Sequence, residues 1–111
     1  MATRNSGRLR VVFTHLAWAD LDEIVSYWAE RDEPERGEKY AYDLPSAAIT
    51  ELSDPETARS GRLVADPENP RVQEIRVFKR SYRIFYVVKP EEGVVEVRRF
   101  WHSHRDEPMR E

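Results

Sequence analysis

Three apolar runs in the C-terminal half, at residues 72–78, 82–88 and 94–102, constrain this 111-residue chain more than any other feature. Each is short and rich in Val, Ile, Phe and Tyr. The connections between them are Lys79-Arg80-Ser81 and Lys89-Pro90-Glu91-Glu92-Gly93. Runs of this composition joined so briefly indicate a three-stranded antiparallel meander.

The N-terminal half carries a different period. Residues 8–13 form a Val/Leu/Phe run whose length and β-branched content favour a strand. Thr14 can then cap a helix, whose apolar positions Ala17, Leu21, Ile24, Val25 and Trp28 follow the spacing of a single buried stripe, ending near Arg31. Asp32 and Glu33 before Pro34 mark a second helix start, because proline fits the first helical position and acids there complement the dipole. Its stripe runs through Tyr40, Ala41, Leu44, Ala48 and Leu52, with a kink or break expected at Pro45. Residues 53–71, with three Pro, a Gly and scattered charge, read as a loop crossing from the helices to the sheet.

The expected fold class is therefore α+β in the order β-α-α-β-β-β, with two N-terminal helices packed on one face of an antiparallel sheet. A chain of this length has room for one core, so residues 1–111 are expected to form a single domain, with residues 1–7 a flexible tail. Without cysteine, disulfides, thiolate zinc sites and thiol nucleophiles are excluded. No apolar run reaches the length of a signal or membrane segment, which points to a cytoplasmic protein.

The net charge of −3 discourages a nucleic-acid reading until its distribution is considered. Residues 1–14 contribute +3, residues 15–58 contribute −9 and residues 59–111 contribute +3, so acid gathers on the helices and base on the sheet. The acidity itself is explained by solvated helix faces.

Strand periodicity divides the meander into two faces. Ile75, Val77, Tyr82, Ile84, Tyr86, Val88, Val95 and Val97 form the expected core face. The opposite face is expected to hold Glu74, Arg76, Phe78, Arg83, Phe85, Glu96, Arg98, Phe100 and His102. That mix is compatible with a solvated face laced by Arg–Glu pairs, with the seat of an acidic or amphipathic partner peptide, or with a surface that binds or cuts RNA through Arg, aromatic rings and a titratable His. His102 and His104 have no third metal ligand, and Ser103 between them cannot face either in the geometry of a catalytic triad. No metal or other cofactor is expected.

Several ordered patterns resemble the RelE/ParE toxins of type II toxin–antitoxin systems. They are Ala19-Asp20-Leu21-Asp22-Glu23-Ile24 with Tyr27 and Trp28, Gly61-Arg62, Glu74-Ile75-Arg76, Tyr82-Arg83-Ile84-Phe85-Tyr86, and the closing His102-Ser103-His104-Arg105-Asp106. The resemblance covers nearly the whole chain. It implies a growth-inhibiting, plasmid-stabilising toxin neutralised by a cognate antitoxin that wraps the helices and sheet.

Two targets occur in the superfamily, and fold alone does not choose between them. RelE-like members are endoribonucleases that cut mRNA on the ribosome, whereas ParE-like members poison DNA gyrase without being nucleases. If the cutting branch applies, the resemblance implies catalytic roles for Arg83 and His102, with Arg76 as a phosphate contact. Glu74 is a candidate base because the face assignment sets it alongside. Arg98, Phe100 and Arg105 are candidate target-binding residues. The terminal Tyr of some cutting members is missing, a strongly basic ribosome-binding surface is less evident, and the helix and loop patterns lie closer to the ParE-like branch. A non-toxic module retained for antitoxin or operator complexes is the alternative reading.

Overall fold

The computed structural model describes residues 7–103, so the expectations for the extreme N-terminus and for His104, Arg105 and Asp106 lie outside the described residues. The elements are β1 (Arg10–Phe13), α1 (His15–Ala29), α2 (Pro34–Leu52), α3 (Pro55–Arg59), β2 (Arg62–Leu63), β3 (Gln73–Val77), β4 (Tyr82–Lys89) and β5 (Val94–His102). They assemble a five-stranded sheet in the order β1-β5-β4-β3-β2. The α+β arrangement and the antiparallel meander are as expected. The sheet as a whole is mixed, because β1 runs parallel to β5. The long path through the helices allows this, whereas a short hairpin would not.

Thr14 joins the first strand to the first helix. Its hydroxyl oxygen accepts from the Ala17 N–H at 3.1 Å, capping α1, and the same hydroxyl donates to the Arg98 carbonyl at 3.0 Å. Helix α2 begins at Pro34 and runs unbroken through Pro45, contrary to the expected interruption. Leu44, Ala48 and Leu52 are fully buried along one stripe on both sides of the proline, and this packing offsets the lost backbone hydrogen bond. The helices approach closely at Gly37, where an added Cβ would meet Trp28 Cβ and Val25 Cα at 3.1 Å.

The stretch expected to be loop contains a helix and a strand. Asp54 caps α3 by accepting from the Glu56 N–H at 3.2 Å, and Pro55 follows at the first helical position. After α3, β2 pairs with only Gln73 and Glu74 of β3.

Leu21, Ile24, Leu44, Leu52, Tyr82, Ile84, Tyr86, Val95, Val97 and Phe100 form the main core between helices and sheet. A second cluster lies on the other face, where Val72, Phe85 and Val87 are covered by Val64 and Trp101. That face is thus partly roofed rather than fully solvated.

Pairing between β4 and β5 slips by one residue: Phe85 lies opposite Arg99, but Tyr86 lies opposite Val97. Arg98 is the extra residue of a β-bulge, and every residue after it has the opposite facing from a strict alternation. Phe100 and His102 therefore point toward the helices, correcting the expected outer-face placement. Arg99 and Trp101 take the outer face instead.

Candidate functional site

The outer face is organised by cross-strand register. One row runs Arg76, Arg83, Trp101 across β3, β4 and β5; the neighbouring row runs Arg62, Glu74, Phe85, Arg99 across β2 to β5. Arg76 and Arg83 are direct partners, an arrangement that repels unless an anion intervenes. Glu74 supplies it. Its carboxylate lies 3.4 Å from Arg76 Nε, 3.5 Å from Arg83 Nη1 and 4.0 Å from Arg62 Nη1.

Glu74 and Arg83 are only 5% and 4% exposed, respectively. A carboxylate shared by three guanidiniums and closed to solvent serves as a counter-ion and has little access to a substrate hydroxyl. Arg83 also lies over the Phe85 ring at 5.6 Å. Arg76 and Arg62 are more open, and they place the accessible positive charge of this network toward the β3 edge.

Glycine at position 61 permits this corner. A Cβ there would overlap the Tyr86 hydroxyl and approach the Glu74 carbonyl to 3.0 Å. The Tyr86 hydroxyl donates to the Ala58 carbonyl at 2.7 Å, tying β4 to the end of α3. Burial pushes its pKa up to about 12, against a smaller opposing effect from the Gly61 backbone.

His102 occupies a different environment. It is 9% exposed and packs edge-on against Tyr82 at 4.9 Å, with Tyr27 at 5.5 Å and Trp28 at 6.4 Å. Trp28 Nε1 donates to the Tyr82 hydroxyl at 3.0 Å, while burial pushes that hydroxyl up to about 12. The sheet separates His102 from Arg83, so the two residues assigned to one reaction do not converge. Phe100 is likewise internal, stacked on Phe13 at 6.1 Å. Arg98 remains partly open and pairs with Glu96 at 3.1 Å, which also receives Lys89 at 3.4 Å. Arg105 lies outside the described residues.

Asp20 seals the edge of β5 beyond β1. It binds Arg99 through Nε at 2.7 Å and Nη2 at 3.0 Å, and accepts the Phe100 backbone N–H at 3.0 Å. Arg99 in turn lies over Trp101 at 5.0 Å. Sequence reasoning missed Arg62, Arg99 and Trp101 as members of the basic-aromatic face. The signal was present: apolar positions step by two from Val95 to Val97, then by three to Phe100.

Between α2 and the β3 edge lies a cleft of about 630 Å³ whose lining includes Glu51, Arg62, Arg76, Phe78 and Arg80. Among the described residues, β3 has no strand neighbour on that side beyond Glu74. The site can therefore offer positive charge, apolar surface and open backbone.

A family model described as "ParE toxin of type II toxin-antitoxin system, parDE" matches residues 11–107. The chromosomal ParDE system of P. aeruginosa includes a similar structure, with a TM-score of 0.70 and 21% identity over 87% of this chain and 98% of that one. The RelBE2 toxin–antitoxin complex of Mycobacterium tuberculosis gives 0.63 and 21% over 90% and 97%. The isolated E. coli RelE toxin gives 0.58 and 19% over 89% and 88%. At these identities the structural likenesses speak to the fold. No curated protein matches the sequence.

Proposed function

Because the chain belongs to the ParE toxin family of type II toxin–antitoxin systems, we propose that it arrests growth by binding DNA gyrase, without cutting RNA, and that a cognate antitoxin neutralises it. The observation that carries this reading is the separation of His102 from Arg83 by the sheet. Attack of the 2′-oxygen on the neighbouring phosphorus, with its proton passing to a base and the 5′-oxygen leaving as it takes a proton from an acid, needs that base, that acid and positive charge within reach of the same atoms. Here the candidate acid is packed among Tyr27, Trp28 and Tyr82, and the candidate base is buried among arginines. The outer face is better suited to holding a partner through Arg76, Arg99 and Trp101. The ParDE and RelBE2 neighbours are toxin–antitoxin systems, which supports an antitoxin as the physiological partner.

Induced expression in bacteria tests the proposal. Growth arrest with a DNA-damage response, intact transcripts and rescue by the antitoxin is expected. Cleavage of ribosome-bound transcripts that depends on Arg83 and His102 would overturn it. Antitoxin binding without any effect on growth would instead indicate a degenerate binding module.

A further inference from the structure

The β3–β4 connection is built in an unusual way. Phe78, Lys79 and Arg80 have φ of 56°, 56° and 70°, three successive side-chain-bearing residues in the left-handed region. Glycine would adopt that backbone without strain, and asparagine with less. The conformation persists because its surroundings fix it. Ser81 N–H donates to the Phe78 carbonyl at 3.1 Å, Ser103 N–H donates to the Ser81 carbonyl at 2.8 Å, and the Ser103 hydroxyl donates to the Arg80 carbonyl. The Phe78 ring packs on Tyr40 at 5.8 Å.

This backbone distributes the two cationic side chains to opposite sides of a ridge. Arg80 lines the cleft beside the β3 edge together with Arg62 and Arg76. Lys79 lines a second concavity of about 700 Å³ together with Arg36, Lys39 and Tyr40. Phe78 lines both. Lys79 and Arg80 are exposed and, among the described residues, neither makes an ion pair. On the cleft side, Arg62, Arg76 and Arg80 stand against Glu74 and Glu51, so the positive charge of the lining exceeds the negative by one. Across the ridge, Arg36 is matched by Glu33 and Lys39 by Asp43, and Glu35 balances Lys79 in number without pairing with it, so Lys79 is the cation there whose ammonium is not held in an ion pair among the described residues.

We propose that this strained turn is a preorganised binding site for a single-stranded nucleic-acid segment, gripping successive phosphates through Lys79, Arg80 and Arg76 while Phe78 and Tyr40 receive an unstacked base. A flexible turn could carry the same charges, but holding them fixed on both sides of a ridge reduces the ordering cost when a strand crosses it. The strain is thus tied to presentation of the side chains at 79 and 80. DNA and RNA share this phosphodiester chemistry. The site is separate from the choice of target, since gyrase inhibition can stand if strand binding fails.

Fluorescence anisotropy of the purified protein with labelled single-stranded DNA and RNA of one sequence tests it. Wild-type affinity should fall steeply with salt. Lys79→Gly combined with Arg80→Gly should weaken binding about tenfold or more and lower the magnitude of the logarithmic salt slope by about 1.4, the change for two lost single-strand phosphate contacts. The same double variant should melt higher, because glycine relieves the left-handed backbone. Lys79→Gln combined with Arg80→Gln should lose binding without that gain, and covers the case in which the glycine variant fails to fold. The more tightly bound strand identifies the natural source. Unchanged affinity in a folded double variant, or no salt-sensitive binding by the wild type, overturns the proposal.

Discussion

Replacing Asp20 with alanine should destabilise the fold by about 2–4 kcal/mol, an effect that follows from its place on β5. Asp20 is 7% exposed and accepts three hydrogen bonds, two from Arg99 and one from the Phe100 backbone N–H. Its loss strands that N–H on a strand edge covered by α1, at a cost of roughly 1–3 kcal/mol for an unsatisfied buried group. Arg99 also loses a bidentate partner. Its side chain is 24% exposed and can reach water, so the full penalty of about 3–5 kcal/mol for breaking a buried pair does not apply. Asp20→Asn keeps an acceptor for the Phe100 N–H and should cost about half as much. Urea unfolding of both variants, with Arg99→Ala to complete a double-mutant cycle, separates the two contributions. If both Asp20 variants unfold within about 0.5 kcal/mol of wild type, the edge is not sealed in this way.

Gly61→Ala should cost about 1–3 kcal/mol by forcing a methyl group into the Tyr86 hydroxyl, with partial recovery when Tyr86→Phe is added, measured by denaturant unfolding. Burial holds the Tyr82 and Tyr86 hydroxyls protonated to about 12, so the unfolded chain releases these protons first. Stability should consequently fall as pH rises from 10 toward 12, and near-ultraviolet titration should lose late-titrating amplitude in each Tyr→Phe variant. Phe100→Ala should destabilise by about 3–5 kcal/mol, more than Trp101→Ala, because the bulge buries the former and leaves the latter partly exposed; thermal unfolding compares them. His102→Phe should keep growth inhibition, since the ring packs among aromatics, and loss of toxicity in a folded His102→Phe protein would show that its imidazole chemistry is needed.

The meander and both long helices were legible because their periods are strong and their start signals, Thr14 as N-cap and Pro34 at the first helical position, have local chemistry. Helix α3 escaped notice although Asp54-Pro55 carries the same start signal as Glu33-Pro34; at five residues it has no apolar period to announce it. The parallel pairing of β1 depends on tertiary packing, and no local pattern encodes it. The site was legible in part. Glu74, Arg76 and Arg83 do share a face, but reading β5 as an uninterrupted alternation carried Phe100 and His102 to the wrong side. One inserted residue reverses all facings beyond it, and the step from Val97 to Phe100 was its only local trace.

Supercoiling by purified DNA gyrase, with the protein added alone and with its antitoxin, tests the central claim most directly. Inhibition that the antitoxin reverses, together with intact mRNA in a parallel ribosome assay, is the predicted result. Unaffected supercoiling accompanied by Arg83-dependent cutting of ribosome-bound mRNA would contradict it.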